Sequence, residues 1–207
     1  MKLQNFIKNF ILKNRYSVLT LVKLAIWTIR TKFVFPKARI IRFPFDVRGK
    51  KYISVSEGFT TGVGCRLEAY PVGEDKVLHI GKNVQMNDYV HITAMTNVSI
   101  GDNVLMASKI YISDCTHGCY AGDENDSNPN TNPIDRPLSS KPVIIMEDNG
   151  WLGEVVSVLS GVTIGKGTII GANSVVSKSL PPYVIAVGTP AKGIKKYNFE
   201  SQRWEKI

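Results

Sequence analysis

Large apolar residues recur at every sixth position through most of the chain. The series occupies Val55, Thr61, Leu67, Ile80, Met86, Ile92, Ile100, Met106, Ile112, Met146, Leu152, Val158, Ile164, Ile170 and Val176. Fourteen of these fifteen residues are large and apolar, whereas the 43% hydrophobic content of the chain would place about six or seven. Because an α-helix repeats every 3.6 residues and a strand every two, a period of six predicts a short strand and a turn in each hexapeptide.

The interruptions of this series show how the hexapeptides group. They fall after multiples of three hexapeptides, and three strands with three turns return the chain over its own start. The pattern therefore predicts an all-β fold, a parallel β-helix of about five triangular coils stacked roughly 4.8 Å apart. The longest interruption, residues 116–142, leaves from the third coil and is rich in Asn, Asp, Ser and Pro. Glycine follows six positions of the series, and we expect these glycines to use their freedom at positive φ in turns.

The N-terminal segment follows a different pattern. It has no Gly or Pro before Pro36, and its apolar residues recur three and four positions apart. We expect one or two amphipathic helices between Leu3 and Lys32. Lys23 and Arg30 interrupt every apolar run, so a membrane-spanning helix is not predicted, and no small-residue cleavage site marks a secretory signal.

Positive charge is concentrated in the same segment. The net charge is +9, but residues 1–51 hold 13 Lys and Arg and a single acid, Asp46, while the remaining 156 residues hold 13 basic and 16 acidic residues. The body is therefore not basic, and no nucleic-acid partner is predicted. The segment is either a helix that lies on an anionic membrane surface through residues 1–32, or a helix packed on the body or on a neighbouring subunit.

Cysteine content bears on the location of the protein. Three cysteines cannot all pair, and their spacing shows no disulfide framework. We therefore expect a reducing compartment, the cytoplasm. If the basic helix binds lipid, the protein is peripheral at the inner face of the inner membrane.

Several stretches resemble a known family. The stretches IGDNVLMASKIYI, GVTIGKGTIIGANSVVSKSLPPYVIAVGTPAKGIK and WLG are similar to those of the hexapeptide-repeat acyltransferases, over about residues 50–198. Within that family the chain most resembles the galactoside and maltose acetyltransferases and the bacterial polysaccharide O-acetyltransferases. The resemblance implies a left-handed parallel β-helix and a homotrimer with active sites at subunit interfaces. It also implies transfer of an acetyl group from acetyl-CoA to a sugar hydroxyl.

The same resemblance implies the site residues. The catalytic histidine of the family falls on His117, the substrate-side asparagine on Asn87, and the tryptophan that opens the coil after the loop on Trp151. The coenzyme A groove falls on Gly153, Glu154, Ala172, Ser177, Lys178, Lys192 and Lys195. In this resemblance, backbone amides at the first two positions would bind an oxyanion, Ala172, Ser177 and Lys178 would lie near the nucleotide, and Lys192 and Lys195 would bind phosphates. Relatives often carry serine where Glu154 stands, so the role of this side chain is open.

The chemistry of these residue types suits that reaction. A sugar hydroxyl is a poor nucleophile at neutral pH, and imidazole titrates close to that pH, so His117 suits a general base. Residues 116–142 are interpreted either as a surface insertion or as an arm across a neighbouring subunit. In the second interpretation, Tyr120 and Arg136 help to bind the carbohydrate acceptor.

Other interpretations are weaker. Cys115, His117 and Cys119 are zinc-ligand types, but three ligands spaced two apart do not match a four-ligand structural site, so no metal is expected. His79 and His91 are interpreted as structural or exposed, and the three histidines fall in different phases of the repeat. This disfavours a metal-dependent carbon dioxide hydratase of similar fold. The alternative function is a non-catalytic β-helical scaffold docked to a membrane or partner by its basic helix.

These inferences divide the chain into three parts. Residues 1–45 form a basic amphipathic helical segment, residues 46–198 the β-helical acyltransferase domain with its loop at 116–142, and residues 199–207 a C-terminal tail. The expected function is O-acetylation of a bacterial surface polysaccharide, a capsule or lipopolysaccharide, or of its precursor.

Overall fold

The computed structural model describes residues 17–140 and 143–207. Among these residues it has one α-helix, α1 (Val18–Val34). The helix begins at Ser17, whose side-chain oxygen accepts a hydrogen bond from the backbone N–H of Thr20 at 3.1 Å. The predicted helical segment is therefore seen from Val18 onwards and ends at Val34, and residues 3–16 lie outside the described residues.

The chain after α1 winds around three faces of a triangular β-helix. Face A consists of β3 (Thr60–Thr61), β6 (Gln85–Met86), β9 (Leu105–Met106), β14 (Trp151–Leu152), β17 (Ile169–Ile170), β19 (Val184–Val187), β20 (Lys192–Asn198) and β21 (Arg203–Lys206). Face B consists of β1 (Phe45–Arg48), β4 (Cys65–Ala69), β7 (His91–Ala94), β10 (Tyr111–Ser113), β15 (Ser157–Val158) and β18 (Val175–Val176). Face C consists of β2 (Ile53–Val55), β5 (Leu78–Ile80), β8 (Val98–Ile100), β13 (Ile144–Met146) and β16 (Thr163–Ile164). From β2 onwards the chain visits faces C, A and B in turn.

Strand pairing confirms the six-residue register. On face C, Ile80 pairs with Val55 and with Ile100, in parallel. The other faces align the predicted residues in the same way, as Thr61, Met86, Met106, Leu152 and Ile170 on face A and Leu67, Ile92, Ile112, Val158 and Val176 on face B. All fifteen side chains of the series except that of Val55 are buried. Successive coils thus build one continuous apolar core, and its burial stabilises the stack.

The glycines that follow positions of the series do not have the role in turns that the sequence predicted. They do not have positive φ, which instead falls two residues later, for example at Asn83 and Asn103. A Cβ built on Gly81 would lie 2.6 Å from the carbonyl carbon of Gly101 in the next coil. The coils approach too closely at these corners for any side chain. The expectation of positive φ is therefore wrong. Glycine is required at these positions because a Cβ would clash with the neighbouring coil.

Helix α1 packs on the β-helix along one side. Thr31 is fully buried, and its hydroxyl accepts a hydrogen bond from the Ile41 N–H at 2.8 Å and donates to the Trp27 carbonyl at 2.7 Å. The guanidinium carbon of Arg30 lies 3.8 Å from the centre of the Phe43 ring. On the other side of the helix, an apolar stripe is at least half exposed and consists of Leu19, Val22, Ile26, Ile29 and Phe33. None of the described residues covers this stripe.

The last strands close one end of the β-helix. β20 pairs antiparallel with β19 and with β21, so residues 203–206 continue face A. The boundary expected between residues 198 and 199 falls in the turn between β20 and β21. Within residues 17–140 and 143–207, no helix has the length and hydropathy needed to cross a membrane.

Candidate active site

The long interruption leaves the β-helix at Asp114, directly after β10. The side chain of Asp114 is buried, and its carboxylate accepts three backbone hydrogen bonds. Oδ1 binds the N–H of Met95 at 2.8 Å, and Oδ2 binds those of Thr96 at 2.8 Å and Asn97 at 2.9 Å. These amides form the same corner of the preceding coil, between faces B and C. Because hydrogen bonds to a carboxylate are strong, Asp114 fixes the point where the chain departs.

A two-stranded antiparallel hairpin follows Asp114. It consists of β11 (Cys115–His117) and β12 (Leu138–Ser140), with His117 opposite Leu138. The hydroxyl of Ser140 donates to the carbonyl oxygen of Asp114 at 2.9 Å. Both ends of the hairpin are therefore tied to one corner of the β-helix. Residues 141 and 142 of the predicted loop lie outside the described residues.

His117 is exposed at the end of β11 and lines a cavity of about 240 Å³. The floor of this cavity is face B, where Glu68, Thr93 and Ser113 are buried side chains. Tyr70 and Tyr111 also line the cavity, and Leu138 of the hairpin completes it. The structure thus places the imidazole beside a partly enclosed space that has room for part of another molecule, as a general base requires.

A charged network lies in the floor of this cavity. Oε2 of Glu68 accepts hydrogen bonds from His91 Nε2 at 2.7 Å and from the Thr93 hydroxyl at 3.1 Å. Oε1 accepts from the Tyr70 hydroxyl at 3.1 Å and from Arg48 Nη1 at 2.9 Å. Burial raises the pKa of Glu68, but the hydrogen bonds from His91, Tyr70 and Thr93 outweigh it and hold this pKa below its usual value. Glu68 is therefore ionised, with its four lone-pair positions occupied.

Sequence reasoning missed this network, because it did not single out Glu68 and interpreted His91 as structural or exposed. The signal that could have found it is positional. His91 aligns with Tyr111 of the next coil, and Glu68 aligns with Thr93, at outward-facing positions of face B. An acid and a histidine at neighbouring outward positions of adjacent coils indicate a paired polar site.

Tyr120 and Arg136 contact each other within the interruption. The Tyr120 hydroxyl donates to the carbonyl oxygen of His117 at 2.6 Å and accepts from Arg136 Nη1 at 2.8 Å. Arg136 also donates to the carbonyl oxygens of Pro129 and Thr131. The pair therefore supports the backbone at His117. Tyr120 in addition lines a second cavity of about 220 Å³ beside the first.

Trp151 and Asn87 do not lie beside His117 in a single chain. Trp151 is on face A between Leu105 and Ile169, and 47% of it is exposed. Asn87 follows β6 at the corner between faces A and B, and it is also exposed. The hairpin that carries His117 departs from the corner between faces B and C. In the triangular β-helix this corner lies opposite face A. One chain alone therefore does not bring the three residues together.

The expected coenzyme A residues lie in three places. Gly153, Glu154 and Ala172 share the corner between faces A and B, Ser177 and Lys178 follow β18 towards the corner between faces B and C, and Lys192 and Lys195 lie on β20. The first group is compact, since a Cβ on Gly153 would lie 2.7 Å from the Ala172 nitrogen. The structure assembles the first group, and Lys192 is the strand partner of Val187, whose side chain lies against Gly171, the residue before Ala172.

Only one of the two expected oxyanion donors is available. The N–H of Gly153 donates to the carbonyl oxygen of Ile170 at 2.8 Å, as part of the pairing between coils. The N–H of Glu154 has no acceptor among the described residues. Oε1 of Glu154 accepts from the Ser108 N–H at 3.3 Å, so its side chain ties this turn to the coil before it. Glu154 is therefore the remaining candidate for an amide that binds an oxyanion.

The described residues gather one set of candidate metal ligands. Cys119, Asp123 and Asp126 have ligand atoms within 4.8 Å of one another. This set lies in the interruption, where Asp126 already accepts hydrogen bonds from the Gly122 N–H. It does not include the imidazole of His117.

The chain was compared with known proteins. No protein-family model matches it. It is 44% identical over 195 residues, which are 94% of this chain and 97% of the relative, to an Escherichia coli K12 protein named for lipopolysaccharide biosynthesis O-acetyl transfer, WbbJ. It is 34% identical over 121 residues to the galactoside O-acetyltransferase of the same organism, which are 58% of this chain and 55% of that protein.

Two solved structures share the fold. A mutant of AntD, an N-acyltransferase from Bacillus cereus, aligns with a TM-score of 0.65 at 18% identity, over 84% of this chain and 90% of that one. A hexapeptide-repeat acetyltransferase from Vibrio cholerae aligns with a TM-score of 0.53 at 20% identity, over 92% and 88%. Because one relative is similar over nearly its whole length and these structures share the architecture, the chain belongs to the hexapeptide-repeat acyltransferases, which are left-handed parallel β-helices.

Proposed function

We propose that this enzyme transfers the acetyl group of acetyl-CoA to a sugar hydroxyl of a bacterial surface polysaccharide, a lipopolysaccharide or capsule, or of its precursor. The observation that carries the proposal is the 44% identity to a relative named for lipopolysaccharide O-acetyl transfer, over 97% of that relative. The name of the galactoside O-acetyltransferase supports a carbohydrate acceptor. The AntD complexes, which contain coenzyme A or an acyl-CoA, support acetyl-CoA as the donor.

In this proposal His117 is the general base. Its imidazole takes the proton of the acceptor hydroxyl as the oxygen attacks the thioester carbonyl carbon. The N–H of Glu154 donates to the oxyanion of the tetrahedral intermediate. When the intermediate collapses, the C–S bond breaks and the proton on His117 passes to the leaving thiolate. The products are an acetyl ester and coenzyme A.

The active enzyme is a homotrimer in this proposal. The arrangement of the site residues supports an oligomer. Trp151 and the Glu154 amide lie away from His117 in one chain, so the site is incomplete without a second chain. Packing face A of one subunit against face B of the next would bring Trp151 of the neighbouring subunit towards His117. It would also cover the exposed side chains of Leu105 and Trp151, which is favourable. Asn87, Tyr120 and Arg136 would border the acceptor at this interface.

The coenzyme A groove in this proposal runs from the corner of Gly153, Glu154 and Ala172 towards the end of the β-helix. Ser177 and Lys178 border the groove near the nucleotide, and Lys192 and Lys195 bind the phosphates of coenzyme A, because ammonium groups form strong hydrogen bonds to phosphate. The donor would then lie with its thioester near the amide of Glu154.

The N-terminal segment, residues 1–32, is proposed to bind an anionic membrane surface from the cytoplasm. The apolar stripe of α1 is exposed, and Lys23 and Arg30 lie on the same helix. A basic residue near anionic lipid contributes roughly 1 kcal/mol, so binding to vesicles should weaken as salt is added. The competing outcome is that the stripe packs on a neighbouring subunit. Deletion of residues 1–32 would then break up the trimer instead of abolishing vesicle binding alone.

A non-catalytic scaffold is not favoured, because the relatives described above are named as acetyltransferases. The decisive experiment measures coenzyme A binding and acetyl transfer from labelled acetyl-CoA to a panel of surface polysaccharides and precursors. The proposal expects both activities, with transfer lost and binding kept in His117→Ala. A protein that binds no coenzyme A and transfers to no acceptor would overturn it.

A further inference from the structure

The Glu68 network differs from an ordinary surface ion pair. Glu68 is 5% exposed, and its donors come from the two strands that flank its own, β1 and β7, and from Tyr70, the residue after its own strand β4. Because all four lone-pair positions of the carboxylate are occupied, Glu68 has none left for a ligand. Glu68 instead holds the hydroxyl of Tyr70 and the ring of His91 in one orientation. A carboxylate 2.7 Å from Nε2 also requires that nitrogen of His91 to carry a proton.

Glu68 is the acidic side chain among the described lining residues of the cavity, and no Lys or Arg is among them. Outside the lining, Arg48 and Arg66 each lie within 4 Å of both Glu68 and Asp46, so the two arginines are already paired with two carboxylates. A ligand that brought a carboxylate into this space would place it near Glu68, with no unpaired Lys or Arg among the described lining residues to compensate it. Such an uncompensated buried charge is costly.

The size and walls of the cavity limit what else can bind. Its volume of about 240 Å³ lies below the ~300–1,000 Å³ that is usual for drug-sized ligands. There is room for one sugar ring and not for several. Tyr70 is 40% and Tyr111 39% exposed, so each offers part of an aromatic surface to the apolar side of a ring.

We propose that this cavity binds one uncharged sugar residue of the acceptor. Glu68 is the positioning residue through which the cavity prefers such a sugar to a uronic acid. The proposal rests on the proposed O-acetyltransferase function. Glu68 acts through Tyr70 and His91, which it aligns along the wall that ends at His117. Its negative charge disfavours a carboxylate in the same space.

Binding is tested directly by ¹⁵N NMR of the imidazole nitrogens, because the chain has only three histidines. In the full-length protein, we expect the His91 signals of an imidazole protonated at Nε2. Methyl β-galactoside should shift the signals of His91 and His117 and leave those of His79 unchanged. Methyl β-galacturonide at the same concentration should shift none. Equal effects of the two compounds, or no effect of the galactoside, would overturn the proposal whether or not acetyl transfer occurs.

Catalysis gives the second measurement, with Glu68→Gln as the test variant and Glu74→Gln as its control. Glu74 is an exposed glutamate that pairs with Lys51, away from the cavity. In the wild type we expect kcat/KM for the galactoside to exceed that for the galacturonide at least about tenfold, which is about 1.4 kcal/mol. Glu68→Gln should raise the KM for the galactoside about tenfold and leave the KM for acetyl-CoA unchanged. It should also lower the ratio of kcat/KM for the galactoside to kcat/KM for the galacturonide. Glu74→Gln should change none of these.

The two measurements separate failure of this inference from failure of the proposed function. Acetyl transfer with the same sugar selectivity and KM in Glu68→Gln as in the wild type would overturn the role of Glu68. An unchanged His91 spectrum in Glu68→Gln would do so as well. Absence of transfer to every acceptor, together with absence of coenzyme A binding, would instead count against the enzyme itself.

Discussion

Replacement of Asp114 by Asn should loosen the base of the hairpin that carries His117. Asn keeps the shape of the side chain but has one acceptor oxygen, so it can retain at most the bonds from Thr96 and Asn97 and turns its NH₂ towards the N–H of Met95. A hydrogen bond to a charged group contributes about 1.5–3 kcal/mol and a neutral one about 0.5–1.5 kcal/mol. Exchanging three hydrogen bonds to a charged group for two to a neutral group predicts a loss of roughly 3.5–6 kcal/mol in the free energy of unfolding.

The same substitution should also lower the rate. If the hairpin shifts by about 1 Å, misplacement of His117, the proposed general base, can cost about 10²-fold in kcat. Urea unfolding at one fixed protein concentration measures the stability, because oligomer stability depends on concentration, and transfer from labelled acetyl-CoA measures the rate. Asp102→Asn is the matched control, because Asp102 accepts a single backbone hydrogen bond, from Lys82 at 2.6 Å. If Asp114→Asn loses no more stability than this control, the anchoring role is refuted.

Four other outcomes are expected. His117→Ala should lower kcat by about 10²- to 10⁴-fold with unchanged coenzyme A affinity by calorimetry, and near-wild-type turnover would place the base elsewhere. Ile164→Asp puts an unpaired charge at a fully buried position and should prevent folding as judged by circular dichroism, so a soluble, folded variant would contradict the register. Gly81→Ala should cost about 1–3 kcal/mol in urea unfolding, because the coils touch there, whereas Gly73→Ala, with no atom within 4 Å, should be neutral. Because the pKa of Glu68 is lowered in the folded state, its contribution to stability should be present above the ordinary carboxyl pKa of about 4.3 and be lost as pH falls through the lowered value. The difference in unfolding free energy between wild type and Glu68→Gln should therefore shrink in acid, and growth of that difference would contradict an ionised Glu68.

The repeat determined most of the fold from sequence alone. A side chain that points into a triangular coil must do so again six residues later, so the apolar series specifies which residues form the core and in which register the coils stack. The position of His117 at the departure of the long loop followed from the same count together with the family resemblance. The amphipathic pattern of Leu19, Val22, Ile26 and Ile29 likewise specified a helix with an apolar stripe, but not what covers that stripe.

The tertiary structure decided how outward-facing residues of different coils meet. Glu68 and His91 are 23 residues apart in sequence and 2.7 Å apart in space, because neighbouring coils place them at adjacent outward positions. The hexapeptide period reports only the inward direction, so it carries no information on which polar side chains bond across coils. It equally could not show that Gly81 is required for close approach of the coils, or that the Gly153 amide is used in coil pairing. Each of these depends on the distance between two coils at a corner, and that distance is set by packing of the whole stack.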